Sequence, residues 1–267
     1  MVPERIQRVT AVRGWRWVAR SIEIFARRPL TWIALNLVLL VIASVLIMIP
    51  VVGGLLFALL TPVFAGGLTL GCRDVDAGKP LLPAYLFAGF QRNAAALVSI
   101  GGVYVVGQIA IFGLLTTIGG AELQALMEAI LRDDHTALPQ TFGDRVLVSV
   151  VLAGALFVPL AMAVWFAPVL AVLDGLPAAH AIKLSLQGSV RNLSAMSVYG
   201  LTMGALLLGL LFAVRVVLAF VPQSLAVVRE PIAMVVMTFW VSLTLISAYV
   251  GYRDIFAGEP AASPDNS

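Results

Sequence analysis

The sequence has little charge and very few cysteines and histidines. Charged residues make up 12% of its 267 positions and hydrophobic residues 61%, whereas soluble domains carry about 25% and about 45–50% respectively. Because so little polar surface cannot cover a globule in water, this composition excludes a soluble protein and indicates a membrane protein. The single cysteine, Cys72, excludes an intramolecular disulfide. His135 and His180 are too few and too far apart for a zinc or haem site.

Motifs of catalysis and nucleotide binding are missing as well. The sequence has no Walker A loop, no dinucleotide fingerprint, no nucleophile elbow and no His-Glu-x-x-His zinc motif. It also has no soluble module with a basic face, so nucleic acid is not an expected partner. We therefore expect no catalytic residue, no cofactor and no metal, and the sequence favours a protein that is not an enzyme.

Long uncharged runs predict six transmembrane helices in an all-α integral membrane protein. Residues 29–72 contain no charge, which is enough for two crossings at about 20 residues each. Pro50, Gly53 and Gly54 interrupt this run and predict a tight helical hairpin. Each run must be helical because hydrocarbon cannot satisfy free backbone groups. The other four runs are residues 93–121, 146–173, 192–214 and 231–252.

The basic residues concentrate on one side of the predicted spans. The first 28 residues contain seven arginines, and the second-to-third and fourth-to-fifth connections are also basic, whereas the loop at 119–145 is acidic. Lys and Arg near helix ends mark the cytoplasmic side. We therefore expect a multi-pass protein of the bacterial inner membrane with both termini in the cytoplasm. The N-terminus lacks the pattern of a secretory signal, so helix one is expected to remain as an anchor.

The chain shows a threefold pattern. Residues 14–78, 82–175 and 177–258 each contain a short pre-hairpin segment, a helical hairpin and an ending on Asp and Gly. This pattern predicts one polytopic domain over residues 1–258: three hairpins in a pseudo-threefold repeat, each preceded by a short cytoplasmic interfacial helix. The alternative is that Arg, Asn, Asp and Gly recur because membrane helix ends favour them. The tail at 259–267 is small and polar and is predicted to be disordered.

The pre-hairpin segments predict contacts with anionic lipid. In the first and third segments, apolar and polar or basic residues alternate at helical spacing, which is typical of helices that lie in the plane of the interface. The second, Leu82–Phe90, is short and mostly apolar, which favours partial burial. Trp15 and Trp17 fit an interfacial aromatic belt. A basic residue near an anionic surface contributes about 1 kcal/mol, although topology anchoring alone is an alternative role. The candidate headgroup contacts are Arg16, Arg20, Arg27, Arg92, Lys183 and Arg191.

Few polar residues fall within the spans. Asn36, Gln108 and Arg215 are the candidates for a polar interior. Hydrogen bonds between helices would account for the first two, and a position near the outer interface, close to Glu230, would account for Arg215. A transporter would use such residues as a polar pathway, but no Asp or Glu lies inside a span, which disfavours a proton-coupled mechanism.

Two further patterns predict packing. Gly67-x-x-x-Gly71 and Gly200-x-x-x-Gly204 permit close approach of helices, and we expect this within the monomer rather than in a homodimer. Apolar residues at helical spacing after Gly120 predict a short amphipathic helix in the outer loop. That helix either rests on the membrane or docks on the bundle or on a partner.

Several short motifs are similar to a known group of proteins. These motifs are Gly14-Trp15-Arg16-Trp17, Phe25-Ala26-Arg27-Arg28-Pro29, Pro62 with Gly66-Gly67, and Leu86-Phe87-Ala88-Gly89-Phe90. They resemble an uncharacterised group of proteobacterial six-helix inner-membrane proteins over most of residues 12–258. More distantly, the layout is similar to the membrane domain attached to some glycerophosphodiester phosphodiesterases. The resemblance implies an inner-membrane location and a six-helix fold, with a lipid-related role as a suggestion.

The sequence as a whole therefore predicts a non-enzymatic inner-membrane protein that interacts with anionic membrane lipids or with a membrane-protein partner. A small-molecule or lipid transporter built on the six-helix bundle is one alternative. An intramembrane lipid-processing enzyme is a second, and it would require polar groups such as Asp74, Asp174, His180 and Asp254 to converge. The oligomeric state, monomer or homo-oligomer, stays open.

Overall fold

The described part of the protein is all-helical. The structure is a computed structural model that describes residues 6–50, 52–132, 143–219 and 229–258, and no strand occurs in these ranges. The predicted disordered tail lies outside them. A π-helical turn, Arg253–Ala257, follows the last helix. In chain order the helices are α1 Arg13–Arg27, α2 Pro29–Ile47, α3 Val52–Asp76, α4 Tyr85–Gln91, α5 Ala94–Leu131, α6 Asp144–Trp165, α7 Ala167–Leu173, α8 Ala178–Arg191, α9 Leu193–Ala219 and α10 Arg229–Tyr252.

Six helical segments in these ranges are long and apolar enough to cross a membrane, so the predicted number of spans is confirmed. Large apolar side chains such as Leu201, Leu208 and Phe212 are exposed on the surface of these segments. Helices α6 and α7 form one span that breaks at Phe166, just before Pro168. Proline lacks the N–H that continues a helix. The six segments are Pro29–Ile47, Val52–Asp76, Ala94–Ala129, Asp144–Leu173, Leu193–Ala219 and Met234–Ala257.

Three short helices, α1, α4 and α8, each precede a pair of spans. Helix α1 packs against α9 and α10, α4 packs mainly against α3, and α8 packs mainly against α6 and α7. The apolar face of α1 is used in this packing, and Trp17 is only 1% exposed. The assignment of Trp17 to an interfacial aromatic belt is therefore wrong, whereas Trp15 is 57% exposed.

Helices α3, α7 and α10 contact one another and form the centre of the described bundle. Large side chains that are almost fully buried, including Phe166, Leu170 and Ile246, belong to one core with Trp17 and Trp32. The short helix α4 lies very close to α3, since a Cβ placed on Gly67 would lie 2.3 Å from the carbonyl oxygen of Tyr85. The glycine allows this approach of the two backbones, so Gly67 packs within the monomer, as predicted.

Helix α5 bends sharply at Gly120, whose φ of +58° and ψ of −150° interrupt the helix. Glycine reaches this region because it lacks a Cβ. The segment after the bend is the amphipathic helix that the sequence predicts, and it ends at Leu131. Leu123 in this segment is 4% exposed and lies next to Gly119, close to Ser149 of α6. The segment therefore docks on the bundle.

Candidate functional site

Three aspartates at or just after the ends of α3, α7 and α10 each accept a hydrogen bond from an aromatic side chain. The pairs are Asp74 with the Tyr85 hydroxyl, Asp174 with the Tyr252 hydroxyl at 2.8 Å, and Asp254 with the indole N–H of Trp17 at 2.8 Å. The three carboxylates thus bind three different aromatic side chains.

Asp76, at the end of α3, is a buried acid whose partners come from α1, α10 and the turn after α10. Its side chain is 5% exposed and forms ion pairs with Arg20, at 2.8 Å, and with Arg253. The hydroxyl of Tyr249 donates to the same carboxylate at 3.3 Å. Burial alone would lower the pKa of Arg20, but its hydrogen bonds to Glu23 and Asp76 outweigh this and raise that pKa above its usual value.

Asp174 has one carboxylate oxygen without a partner in the described part of the chain. Tyr252 donates to Oδ1, whereas Oδ2 is buried and meets no donor there. Burial raises the pKa of the Asp174 carboxyl, and the hydrogen bond from Tyr252 opposes this increase. Asp174 therefore keeps its proton to a higher pH than an exposed aspartate does.

Side chains near the first turn of α2, α5 and α9 donate to backbone carbonyls of other segments. Helix C-termini leave carbonyls without intrahelical partners, and side-chain donors satisfy them. The donors are Arg27 to the carbonyls of Val75 and Asp76, both at 3.1 Å, Asn93 to those of Ala171 at 2.9 Å and Leu176 at 2.8 Å, and Asn192 to that of Gln7 at 2.9 Å. Asn192 also accepts from the amide of Val9 at 2.8 Å. These bonds hold chain segments together at this end of the bundle.

The six predicted headgroup contacts fall into two groups. Arg20 and Arg27 are bonded to Asp76 and to the carboxyl end of α3, so they help to hold the fold together. The other four are exposed to the surroundings, and the described residues offer them no ion pair. These four are Arg16, Arg92, Lys183 and Arg191.

The three predicted interior residues lie in different parts of the bundle. Asn36 is 6% exposed and donates to Ser242 at 2.9 Å, which joins α2 to α10. Gln108 is half-buried in α5 and donates to the Tyr104 hydroxyl at 2.9 Å. Arg215 is exposed on α9, and the side chain of Glu230, its suggested neighbour, lies outside the described residues. The three do not form one polar path.

A comparison with known proteins identifies the family. The chain is 31% identical to a probable inner membrane protein of Burkholderia thailandensis over 261 residues. The aligned region covers 96% of this chain and 95% of that relative. The chain belongs to the family of that protein. No family model and no solved structure matches this chain. The distant likeness to the membrane domain of glycerophosphodiester phosphodiesterases has no support from these comparisons.

The sequence did not single out the central role of Asp76 in this inner membrane protein. Its two arginine partners, Arg20 and Arg253, are 56 and 177 residues away in the chain, so no local pattern marks Asp76. Asn93 and Asn192 begin two of the uncharged runs, but the sequence does not show which carbonyls they bind. Among the described residues, no group of three or more His, Cys, Asp and Glu could hold a metal ion.

Proposed function

We propose that this inner membrane protein is a non-enzymatic, lipid-interacting component of the bacterial inner membrane. Its termini lie in the cytoplasm. The end of the bundle that carries α1, α4 and α8, here called the basic end, contacts anionic headgroups. The proposal rests on one observation. In or directly after each of α1, α4 and α8, an exposed large apolar residue lies one or two positions before an exposed arginine. These pairs are Trp15 with Arg16, Phe90 with Arg92, and Val190 with Arg191.

This combination suits the interface between headgroups and acyl chains. An apolar side chain enters the acyl region, while the arginine next to it reaches the phosphates. Arg16, Arg92, Lys183 and Arg191 have no ion pair within the described residues, so their charge is available to anionic lipid. Because each hairpin returns the chain to the same side, all three short helices lie at one face of the membrane.

Two contact patterns support a pseudo-threefold repeat. First, α4 and α8 pack on the hairpin that precedes each of them in the chain, and α1 closes the cycle by packing on the last hairpin, α9 with α10. Second, Arg27 binds backbone carbonyls at the end of α3, before α4, while Asn93 and Asn192 bind carbonyls in the segments that lead to α8 and α1. Such a ring would distribute the basic residues around one end of the bundle.

The alternatives lack comparable support. A lipid-processing enzyme would require clustered polar groups, but Asp74, Asp174 and Asp254 each bind a different aromatic partner. A transporter would require a polar path, and Asn36, Gln108 and Arg215 do not form one within the described residues. Neither alternative gives a role to the exposed cations Arg16, Arg92, Lys183 and Arg191, whereas binding of anionic lipid does.

Native mass spectrometry of protein extracted without detergent tests the proposal. The triple variant Arg16→Gln, Arg92→Gln and Arg191→Gln should retain less anionic phospholipid, by at least about fivefold, because each cation near the surface contributes about 1 kcal/mol. The matched control is the triple variant of Arg132, Arg145 and Arg215 to Gln, which lie towards the opposite side and should retain lipid as the wild type does. Equal retention by both triple variants would overturn the proposal.

A further inference from the structure

A groove between α5 and α6 forms a cavity that described residues of both helices line. Its volume is about 450 Å³, and its lining residues are Gln108, Ile109, Ile111, Phe112, Leu115 and Phe157. Gln108 lies 14 residues after Ala94, which is about 21 Å along α5 at 1.5 Å per residue. The hydrocarbon of a bilayer is about 30 Å thick, so the groove opens to lipid within the hydrocarbon, somewhat past its middle.

Gln108 lines this groove, and its hydrogen-bond partner Tyr104 lies one turn earlier in α5. Both side chains have unused hydrogen-bonding capacity. Gln108 donates one amide N–H to the Tyr104 hydroxyl at 2.9 Å. Its amide oxygen, its second N–H and the hydroxyl proton of Tyr104 find no partner among the described residues. By contrast, the hydroxyls of Thr116 and Thr117 in the same helix both donate to the carbonyl of Gly113. Gln108 and Tyr104 therefore stand out as polar groups that hydrocarbon alone leaves unsatisfied.

We propose that this groove binds a lipid-soluble molecule with a carbonyl on a long apolar chain. The carbonyl oxygen accepts hydrogen bonds from the free N–H of Gln108 and from the Tyr104 hydroxyl, while the chain lies against Phe112 and Phe157. Both rings are open to such a chain, at 51% and 41% exposure. The cavity volume is within the range of about 300–1,000 Å³ that is usual for ligand sites. The site is separate from the basic end of the bundle and does not depend on headgroup binding there.

A protonated fatty acid and an isoprenoid quinone both carry this chemistry, and the experiment distinguishes them. The test uses a diazirine-labelled fatty acid, crosslinked to the full-length protein in nanodiscs, with the labelled peptides identified by mass spectrometry. Unlabelled fatty acid, unlabelled quinone and an alkane of similar length serve as competitors in separate arms. We expect labelling of the α5 and α6 peptides, and competition by the fatty acid, the quinone or both, but not by the alkane.

Variants locate the hydrogen bond. Gln108→Leu should reduce labelling by about fivefold because the polar contact is lost, and Tyr104→Phe should reduce it in the same direction. Thr117→Val is the matched control, since its hydroxyl is already bonded within the helix, and it should leave labelling unchanged. Leucine is well tolerated in hydrocarbon, so Gln108→Leu is expected to insert and fold, which gel filtration checks. Competition by the alkane, or full labelling of Gln108→Leu, would show a non-specific acyl-chain contact and overturn the proposal. This outcome is independent of the lipid-retention test on the arginine triple variant.

Discussion

Arg20 and Asp76 form an ion pair between two segments that are 56 residues apart, with 2.8 Å between Nη2 and Oδ1. The carboxylate is 5% exposed and the guanidinium 21%. The pair ties the short helix α1 to the end of the span α3. Arg253, which follows α10, also pairs with Asp76. One buried acid therefore joins the first, third and last helices at the basic end.

Replacement of Asp76 should destabilise the protein strongly. Asp76→Asn leaves Arg20 and Arg253 without their shared counter-charge, and breaking a buried pair from one side costs about 3 kcal/mol. The control is Glu23→Gln, which removes the other acid that binds Arg20. Glu23 is 50% exposed, so its loss should cost less than about 1 kcal/mol. Chemical unfolding in detergent micelles measures both, and similar losses for the two variants would contradict the central role of Asp76.

The hydrogen bond from the Trp17 indole to the Asp254 carboxylate should contribute to stability. Trp17→Phe keeps an aromatic ring but leaves a carboxylate that is 1% exposed without its indole donor. Loss of a donor to a buried charged group costs about 1–3 kcal/mol. Trp15→Phe is the matched control, because Trp15 lies two positions away and is 57% exposed. Thermal unfolding followed by circular dichroism should show a lower midpoint for Trp17→Phe alone, and equal midpoints for the two variants would refute this role.

These two tryptophans also illustrate what the sequence can and cannot predict. The spans were predictable because hydrocarbon tolerates only long apolar helices, and the charges at their ends follow from the same requirement. The different environments of Trp15 and Trp17 were not predictable. The partner of Trp17 is Asp254, 237 residues further along the chain, and only the packing of α1 on α9 and α10 brings them together. The role of Asp76 depends on long-range packing in the same way.

Asp174 should make stability depend on pH. Burial raises the pKa of its carboxyl in the folded protein, so the folded state binds this proton more tightly than the unfolded state does. The free energy of unfolding should therefore fall as pH rises from about 3.9, the value of an unperturbed aspartate, through the raised pKa of the folded state. Asp174→Asn should remove this part of the dependence.

The measurement is the free energy of unfolding from about pH 4 to about pH 7 for wild type and Asp174→Asn. Asp144→Asn is the control, since Asp144 is exposed at the start of α6 and should leave the profile unchanged. If the wild type and Asp174→Asn had parallel profiles, the raised pKa of Asp174 would be ruled out as a determinant of stability.

The two Gly-x-x-x-Gly motifs should respond differently to the same substitution. A Cβ on Gly67 would lie 2.3 Å from the carbonyl oxygen of Tyr85 and 2.8 Å from the backbone nitrogen of Gly89. Both are backbone atoms of α4. Gly67→Ala should therefore push α4 away from α3 and cost about 1–3 kcal/mol, as overpacking does. Gly204→Ala meets no described atom within 4 Å and should leave the stability of the monomer unchanged. Unfolding of both variants in micelles, together with proteolysis at the α4 segment, measures the contrast. A loss of stability in Gly204→Ala alone would instead place the important close contact at α9.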